Sequence, residues 1–366
     1  MLVDQYKTPG IFDGNFWFGG NALHAYLDYL FRAGETDTNQ ILPTANKIYQ
    51  SMSNNPGWWR DDYGWWGIAF VVAINNRVGF GYKDPSYDPL FKDLRDATQY
   101  CWKQLNDNWD NSPYGRGVDI VGGVWNTKDT TQPLAGRNSV TNEGFWILSM
   151  ALAQLSRDKI VPENPQYEKM AKAEQSWFEQ WLSLPAKQPG MTGILNKQGL
   201  VLERPMGNTT DPAFYWSGDQ GLCIRAFRSL PGALPNDIAR SVIKNMIDRN
   251  GILHEYLGFV DRGLEGFIAD YATGKGVFMR NLANINQPMG SYSDFIKKNA
   301  TAVWCNQLGG NQFGFNWNPR AGGEPKILLA VGTKNQALCN LIMQAAGQDA
   351  LNAAVSIAPD EVIPGS

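Results

Sequence analysis

The chain is poor in the residues that most catalytic and binding chemistries use. Its 366 residues include only two histidines, His24 and His254, and four cysteines, Cys101, Cys223, Cys305 and Cys339. The cysteines lie far apart, form no C-x-x-C pair and have no histidine close by, so neither a zinc centre nor another metal or organic cofactor is expected. Each sits in an apolar, helix-like stretch, which predicts buried thiols rather than bridges. Charged residues make up 18% of the chain and the net charge is −3. Basic residues form no patch, and Lys297-Lys298 stand alone, so nucleic acid and membrane surfaces are not expected partners. The longest strongly apolar run, "GIAFVVAI", is too short to span a bilayer. The opening "MLVDQYKTPGIFDGN" lacks the basic, apolar, small-residue pattern of a secretory leader. A secreted or periplasmic location would require a leader that these residues do not supply; otherwise a cytoplasmic location is expected.

Apolar residues, at 43%, are enough for a large core. A theme recurs along the chain: a glycine-rich or small-residue start, then a run that is apolar almost all round. It is found at 19–34, 61–76, 141–158, 217–230, 274–285 and 332–347, and predicts helices buried on most sides. Between these lie segments with apolar residues at three- and four-residue spacing, at 38–52, 88–105, 165–182, 235–249, 291–308 and, in short form, 349–358. Six alternations of a buried and an amphipathic helix predict one all-α domain over 1–366, an (α/α)6 barrel with six inner and six outer helices. Strand patterns are few. "GGVW" and "GILNKQGLVLER" predict short hairpins within the long loops near 111–140 and 186–215, where binding residues tend to sit. A monomer is expected.

The segment that asks for chemistry is "PGWWRDDYGWWGIAF", in which Asp61 and Asp62 stand between two tryptophan pairs. The ordinary reading of acids at a helix start is capping. One acid would do for that, and a second adds repulsion. Asp61, Trp65, Ile68 and Val72 share one stripe of the helix; Asp62, Trp66, Ala69 and Ala73 share the next. Both carboxyls therefore head apolar stripes of a buried helix. Two close carboxyls are what glycosidic cleavage uses, because ionising one raises the pKa of the other and leaves one base and one acid. Adjacent residues suit the short separation of about 5–5.5 Å that goes with retention of configuration. Tyr63, Trp65 and Trp66 would serve as platforms for sugar rings.

"WWRDDYGWWGIAF" resembles the signature of glycoside hydrolase family 76, the endo-α-1,6-mannanases. "NFWFGGNALHAYLDYLFRAGETD" is similar to that family's first inner helix, and "GGVWNTKD…GRNSVTNEGFWILSMALAQLSRD" to its Gly-Gly-Ile-Trp strand and the following helix. "TGKGVFMRNLANI" is similar to its late helix. The resemblance covers about residues 15 to 345. It implies an (α/α)6 barrel and a retaining hydrolase of α-1,6-mannan or a similar neutral glycan, with Asp61 as nucleophile and Asp62 as acid/base. Two places depart from the pattern: Asn126 follows Trp125 where the family often has a second Trp, and "WSGDQG" replaces its Tyr-Asn-Gln-Gly stretch.

Other candidates for sugar contact are Trp17, Asn21, Trp125, Lys128 and Tyr215, with core or loop packing as the plain alternative. Asn138, Asn142 and Glu143 open the third buried helix, where Asn142 could also be a cap. Asp219 and Gln220 open the fourth. Arg280 lies mid-helix among apolar residues, so a structural carboxylate partner is the first expectation for it. Two further readings stay open: a barrel hydrolase of anionic glycans such as unsaturated uronyl sugars, for which Arg116, Lys128 and Arg137 would be the cationic groups, and a transglycosylase or carbohydrate-binding protein on the same fold. His24 and His254 are expected to be packed side chains.

Overall fold

The computed structural model describes residues 2–115, 118–132, 134–184, 193–205, 215–255, 268–286, 291–308, 312–319 and 333–357. Twelve α-helices occupy most of them. The first six are α1 Leu2–Tyr6, α2 Phe16–Ala33, α3 Ile41–Met52, α4 Arg60–Asn76, α5 Asp88–Asn106 and α6 Ser139–Arg157. There follow α7 Gln166–Ser183, α8 Ser217–Phe227, α9 Leu234–Asn245, α10 Ile268–Asn286, α11 Ser293–Cys305 and α12 Thr333–Ile357. The only ladder among the described residues pairs β1 Pro113–Gly115 antiparallel with β2 Val118–Val121. The class is all-α, as the spacing predicts.

One predicted element is corrected. The sixth outer helix, expected as a separate segment at 349–358, is continuous with the run before it, because α12 does not break at Gly347. That glycine is there for contact: a Cβ on it would lie 2.3 Å from the Phe313 ring. The short α1, at the start of the chain, packs on α12. The hairpin expected in "GILNKQGLVLER" is present as the bridge Leu195↔Val201. Its turn is tied by Asn196 Oδ1, which accepts from the N–H groups of Gln198 and Leu200 at 2.9 and 3.0 Å. "GGVW" forms no strand of its own. Gly122 and Gly123 have φ of 91° and 101°, a backbone that ends β2. Only Val124 then bridges, to Trp109. The thiols depart from expectation at one place: Cys101 and Cys223 are buried, but Cys305 is exposed at the end of α11. Cys339 has its side chain outside the described residues.

The chain divides into two compact units. The first comprises 14–27 and 36–214, and α4 is its most enclosed helix. Glycines let α4 approach its neighbours closely. A Cβ on Gly20 of α2 would stand 2.7 Å from the Trp66 backbone nitrogen, so these two helices touch main chain to main chain. Gly64 of α4 faces Gly144 of α6; a Cβ on Gly64 would lie 3.5 Å from the Gly144 Cα. At Gly67 a Cβ would meet Leu148 of α6 at 2.7 Å and the Cys101 Cβ of α5 at 3.1 Å. Cys101 itself is fully buried, 3.3 Å from the Tyr49 hydroxyl, and burial pushes its thiol up to about 12.

The second unit comprises 1–13, 28–35 and 215–366. It uses the same device. Gly221 of α8 lies against the backbone of Val277 and Phe278 on α10, and Gly276 of α10 against Ala346 of α12, where added Cβ atoms would stand 2.7 and 2.5 Å away. A buried ion pair joins the latter two helices. Arg280 Nε and Nη2 donate to the two oxygens of Asp349 at 2.9 and 2.6 Å.

These contacts separate two substitutions that helix propensity alone would treat alike. Alanine is better than glycine inside a helix by about 1 kcal/mol. Gly64→Ala meets only ordinary contact, so its urea midpoint should be unchanged or higher. Gly20→Ala must push two backbones apart and should lower stability by roughly 1–3 kcal/mol. Equal effects of the two in urea unfolding would refute the close-approach account.

Candidate active site

Asp61 and Asp62 occupy the first turn of α4. Trp59 enters the helix in extended conformation (φ −65°, ψ 155°) and gives no side-chain cap. The first-turn N–H groups therefore lie beside the acids, and that of Asp61 itself favours the ionised form of its carboxyl. Neither acid turns into bulk solvent: Asp62 is 4% exposed and Asp61 is half-buried. Burial, seconded by the negative charge of Glu203, pushes the Asp61 carboxyl up to about 7 against the pull of its backbone N–H. A helix N-terminus lowers a carboxyl pKa by well under a unit, whereas burial can raise it by several, so burial wins here.

The aromatic residues of this segment divide by stripe. Trp65, one turn below Asp61, packs its ring 5.1 Å from that of Trp17, which is half-buried on α2. These two lie on the acid's side. Tyr63 and Trp66, expected as sugar platforms, are core residues instead. Trp66 is fully buried, donates its indole N–H to the Phe16 carbonyl at 2.8 Å, and stacks on the Phe16 ring at 5.4 Å. Tyr63 donates its hydroxyl to the Ser53 carbonyl at 2.8 Å. The reason is the packing around the helix: adjacent residues are turned about 100° apart, and at Trp66 the neighbours are Phe16 and Tyr49 of the core. Asn21, next to Gly20, is buried.

α6 starts beside the acids. Asn138 precedes it in extended conformation without a side-chain cap, and Thr141 lies buried in its first turn. Asn142 is not a cap. Its Oδ1 accepts the Val124 N–H at 2.7 Å, and its Nδ2 donates to the carbonyls of Val124 and Asn138 at 3.2 and 2.7 Å. It clamps the "GGVW" loop to the helix. Glu143 is fully buried beside it. The loop is fastened a second time by Arg137, itself fully buried. Its Nη1 donates to the carbonyls of Ser112 and Gly122 at 2.8 and 2.7 Å, and its Nη2 to Asp110 at 2.5 Å. The guanidinium also lies 5.0 Å from the centre of the Trp125 ring, whose indole N–H reaches Asp110 at 3.0 Å. Trp125 is half-buried and held on three sides; Lys128, three residues on, is exposed.

Two residues of this place were not singled out from the sequence, Thr141 and Glu203. Glu203 lies two residues before the end of the 193–205 segment. Its carbonyl accepts the Ser139 N–H at 2.6 Å, so the hairpin is tied to the first residue of α6. No motif spacing marks it; only the position of a charged residue closing an alternating apolar strand gives a hint.

Most of the remaining candidates belong to the second unit. Asp219 and Gln220 lie in the first turn of α8 and are fully buried; Tyr215 is half-buried just before it. Arg280 has the carboxylate partner expected of a mid-helix arginine, Asp349, and is 3% exposed. Arg116 lies outside the described residues. His24 is buried and His254 half-buried. Among the described residues no three His, Cys, Asp or Glu side chains are grouped to hold a metal, and no helix is long and apolar enough to cross a membrane.

The resemblance seen in the sequence is met by solved structures. No family model and no curated protein matches the chain. Among structures it is similar to Dfg5 from Chaetomium thermophilum in complex with glucosamine, with a TM-score of 0.62 and 17% identity, covering 92% of this chain and 80% of that one. It is also similar to an α-1,6-mannanase, GH76A of Salegentibacter sp. HEL1_6, with a TM-score of 0.61 and 17% identity over 95% of this chain and 97% of that one. That structure holds α-1,6-mannotriose and is a variant made inactive by replacing two consecutive aspartates with asparagine. A GH76 α-mannanase of Bacteroides thetaiotaomicron follows at a TM-score of 0.55 and 13% identity, over 90% and 85%. The fold is thus the all-α barrel class of the family 76 glycoside hydrolases.

The raised Asp61 pKa is also a statement about stability. An Asp61 that holds its proton to about 7 when folded, and releases it near 3.8 when unfolded, destabilises the folded state progressively as pH rises between those values. Asp61→Asn, which cannot ionise, should match the wild type in unfolding free energy near pH 4. At pH 8 it should be more stable by up to about 4 kcal/mol. Denaturant titrations at the two pH values check this; equal differences at both would mean that Asp61 is not held protonated.

Proposed function

We propose that the protein is a retaining glycosidase that cleaves α-1,6-mannosidic linkages with Asp61 as nucleophile and Asp62 as acid/base. The supporting observation is the pair itself: two adjacent carboxyls withdrawn from bulk solvent at the start of one helix, one of them held protonated up to about 7. A fold shared with α-1,6-mannanases gives that pair its substrate class, and in one of those relatives two consecutive aspartates are the residues whose loss abolishes activity.

In the reaction, the ionised carboxylate of Asp61 attacks the anomeric carbon while the bond to the glycosidic oxygen breaks. Asp62 gives its proton to the departing oxygen. Water then attacks the anomeric carbon of the glycosyl-enzyme, Asp62 takes its proton, and the Asp61 carboxylate leaves. The competent form carries one proton between the two carboxyls; Asp61, which holds a proton to about 7 before substrate binds, must be ionised to attack. With the substrate bound, that proton belongs on Asp62. Trp17, half-buried and packed on the buried Trp65, and Trp125 in its fastened loop supply the apolar faces against which a pyranose ring can rest. A neutral glycan suits the surroundings. Arg137 is committed to the loop carbonyls and Asp110, and Arg280 to Asp349, so neither is available to an anionic sugar. Transfer to another sugar hydroxyl would use the same intermediate and differs only in the acceptor.

Hydrolysis of α-1,6-mannan by Asp61→Asn and by Asp62→Asn should fall at least about 1,000-fold, with circular dichroism unchanged. Wild-type kcat/KM should fall as pH rises through about 7, where the shared proton is lost. The first product seen by proton NMR should be the α-anomer. A β-anomer, or either variant turning over normally, would remove the proposal; appearance of lengthened chains in place of reducing ends would identify transfer.

A further inference from the structure

We infer that Arg60 and Asn126 are positioning residues: they join the loop that carries Trp125 to the head of α4, so that the ring offered to a sugar and the acid pair keep one fixed relation. The inference rests on the glycosidase reading for the roles of Trp125, Asp61 and Asp62.

α4 starts without a side-chain cap, and its first N–H groups need partners from elsewhere. The N–H of Arg60, the residue before Asp61, donates to the Asn126 carbonyl at 2.8 Å. The loop itself thus caps the helix that carries the acids. A second path runs through side chains. Arg60 Nη1 donates to Gln104 Oε1 on α5 at 3.0 Å. The Gln104 carbonyl accepts from Asn108 Nδ2 at 2.8 Å, and the Asn108 carbonyl accepts the Trp125 N–H at 3.1 Å. Trp125 and Asn126 are neighbours in the chain, so the two paths close a ring: Arg60, Gln104, Asn108, Trp125, Asn126 and back to Arg60. Asn126 stiffens the loop where the ring closes. Its N–H donates to the Gly136 carbonyl at 2.9 Å, its Oδ1 accepts the Gly136 N–H at 2.8 Å, and its Nδ2 donates to the Leu134 carbonyl at 3.2 Å. Arg60 and Asn126 are both buried.

Asn142 holds the same loop to α6, and Arg137 holds it to the 110–122 stretch. The ring through Arg60 ties it to α4. Stability alone gives little reason for an arginine here. Among the described residues its buried Nε and Nη2 make no hydrogen bond, and the Tyr63 ring lies 5.7 Å from the guanidinium. A buried charge so placed is no better for stability than an apolar side chain of similar length. What the guanidinium adds is the second path, which an apolar side chain cannot make. A loop fastened at one point can pivot about it; fastened at two adjacent residues, it holds its ring in place before a ligand arrives.

The test reads Trp125 directly and separates positioning from folding. In protein carrying 5-fluorotryptophan, the Trp125 signal is assigned by its loss in Trp125→Phe, and the Trp66 signal serves as the core reference. Arg60→Met should shift and broaden the Trp125 signal, leave that of Trp66 in place, and leave the urea midpoint unchanged or higher. Arg60→Lys, which keeps a donor for Gln104, should restore most of the wild-type signal. Asn126→Ala strands the Gly136 N–H and the Leu134 carbonyl, and should disturb Trp125 at a cost in urea midpoint; Arg60→Met decides the matter if that variant folds poorly. In an Asp61→Asn background, Arg60→Met should weaken binding of α-1,6-mannotriose roughly tenfold. With Asp61 intact, it should lower kcat/KM on α-1,6-mannan by about 10–100-fold. A Trp125 signal unmoved in Arg60→Met, or a change shared by Trp66, overturns the inference. A Trp125 signal that moves as stated, in a protein that neither binds mannotriose nor cleaves mannan, leaves the joint standing and removes the glycosidase reading instead.

Discussion

The main-chain approach of α4 to α2 and α6 is the constraint on which the acid site rests. Gly20 lets the α2 backbone come up against Trp66, and Gly64 meets Gly144 three residues below Asp61 and Thr141 respectively. Helices carrying side chains at those points pack about 8–10 Å apart, and only glycine allows less. The short distance brings the start of α6, and whatever is fastened to it, towards the acids on α4. Burial at the head of this helix is the main reason the Asp61 carboxyl keeps a proton to about 7.

Around this contact the loops are not loose. Asn142 binds both backbone groups of Val124, Arg137 ties two carbonyls and Asp110, and the hairpin is tied to Ser139. A side chain that satisfies several main-chain groups at once leaves a loop few alternative conformations, since each alternative would strand buried polar atoms. The wall carrying Trp125 is therefore formed before any sugar arrives, and binding energy is not spent on ordering it. In the second unit the close Gly276–Ala346 contact and the Arg280–Asp349 pair hold α10 to α12, with burial pushing Asp349 up to about 6 despite its partner.

Much of this was legible in the residues because helical spacing is a local signal. The runs at 61–76, 141–158 and 165–182 coincide with α4, α6 and α7 to within a few residues. The acid pair stood out because one acid suffices at a helix start and the second adds repulsion. What failed was what depends on facing. A glycine near the end of an apolar run reads as a stop, but Gly347 is a contact and α12 runs through it. Trp65 and Trp66 read alike, yet one borders the acids and the other fills the core with Phe16 and Tyr49. Asn142 had the composition of a cap and works as a loop clamp. Glu203 and Thr141 carry no spacing signature, because their relation to Asp61 arises from chain segments that meet only in three dimensions.

Cys101 lies where these layers join, beneath Gly67 and beside the Tyr49 hydroxyl, with its thiol sealed from solvent. A thiol so placed is deaf to alkylating reagents while α3, α4 and α5 stay together, and becomes reactive the moment they part. The molecule therefore carries its own clock for breathing in the layer behind the acids: the rate at which that sulfur takes up a label measures how often the scaffold comes undone.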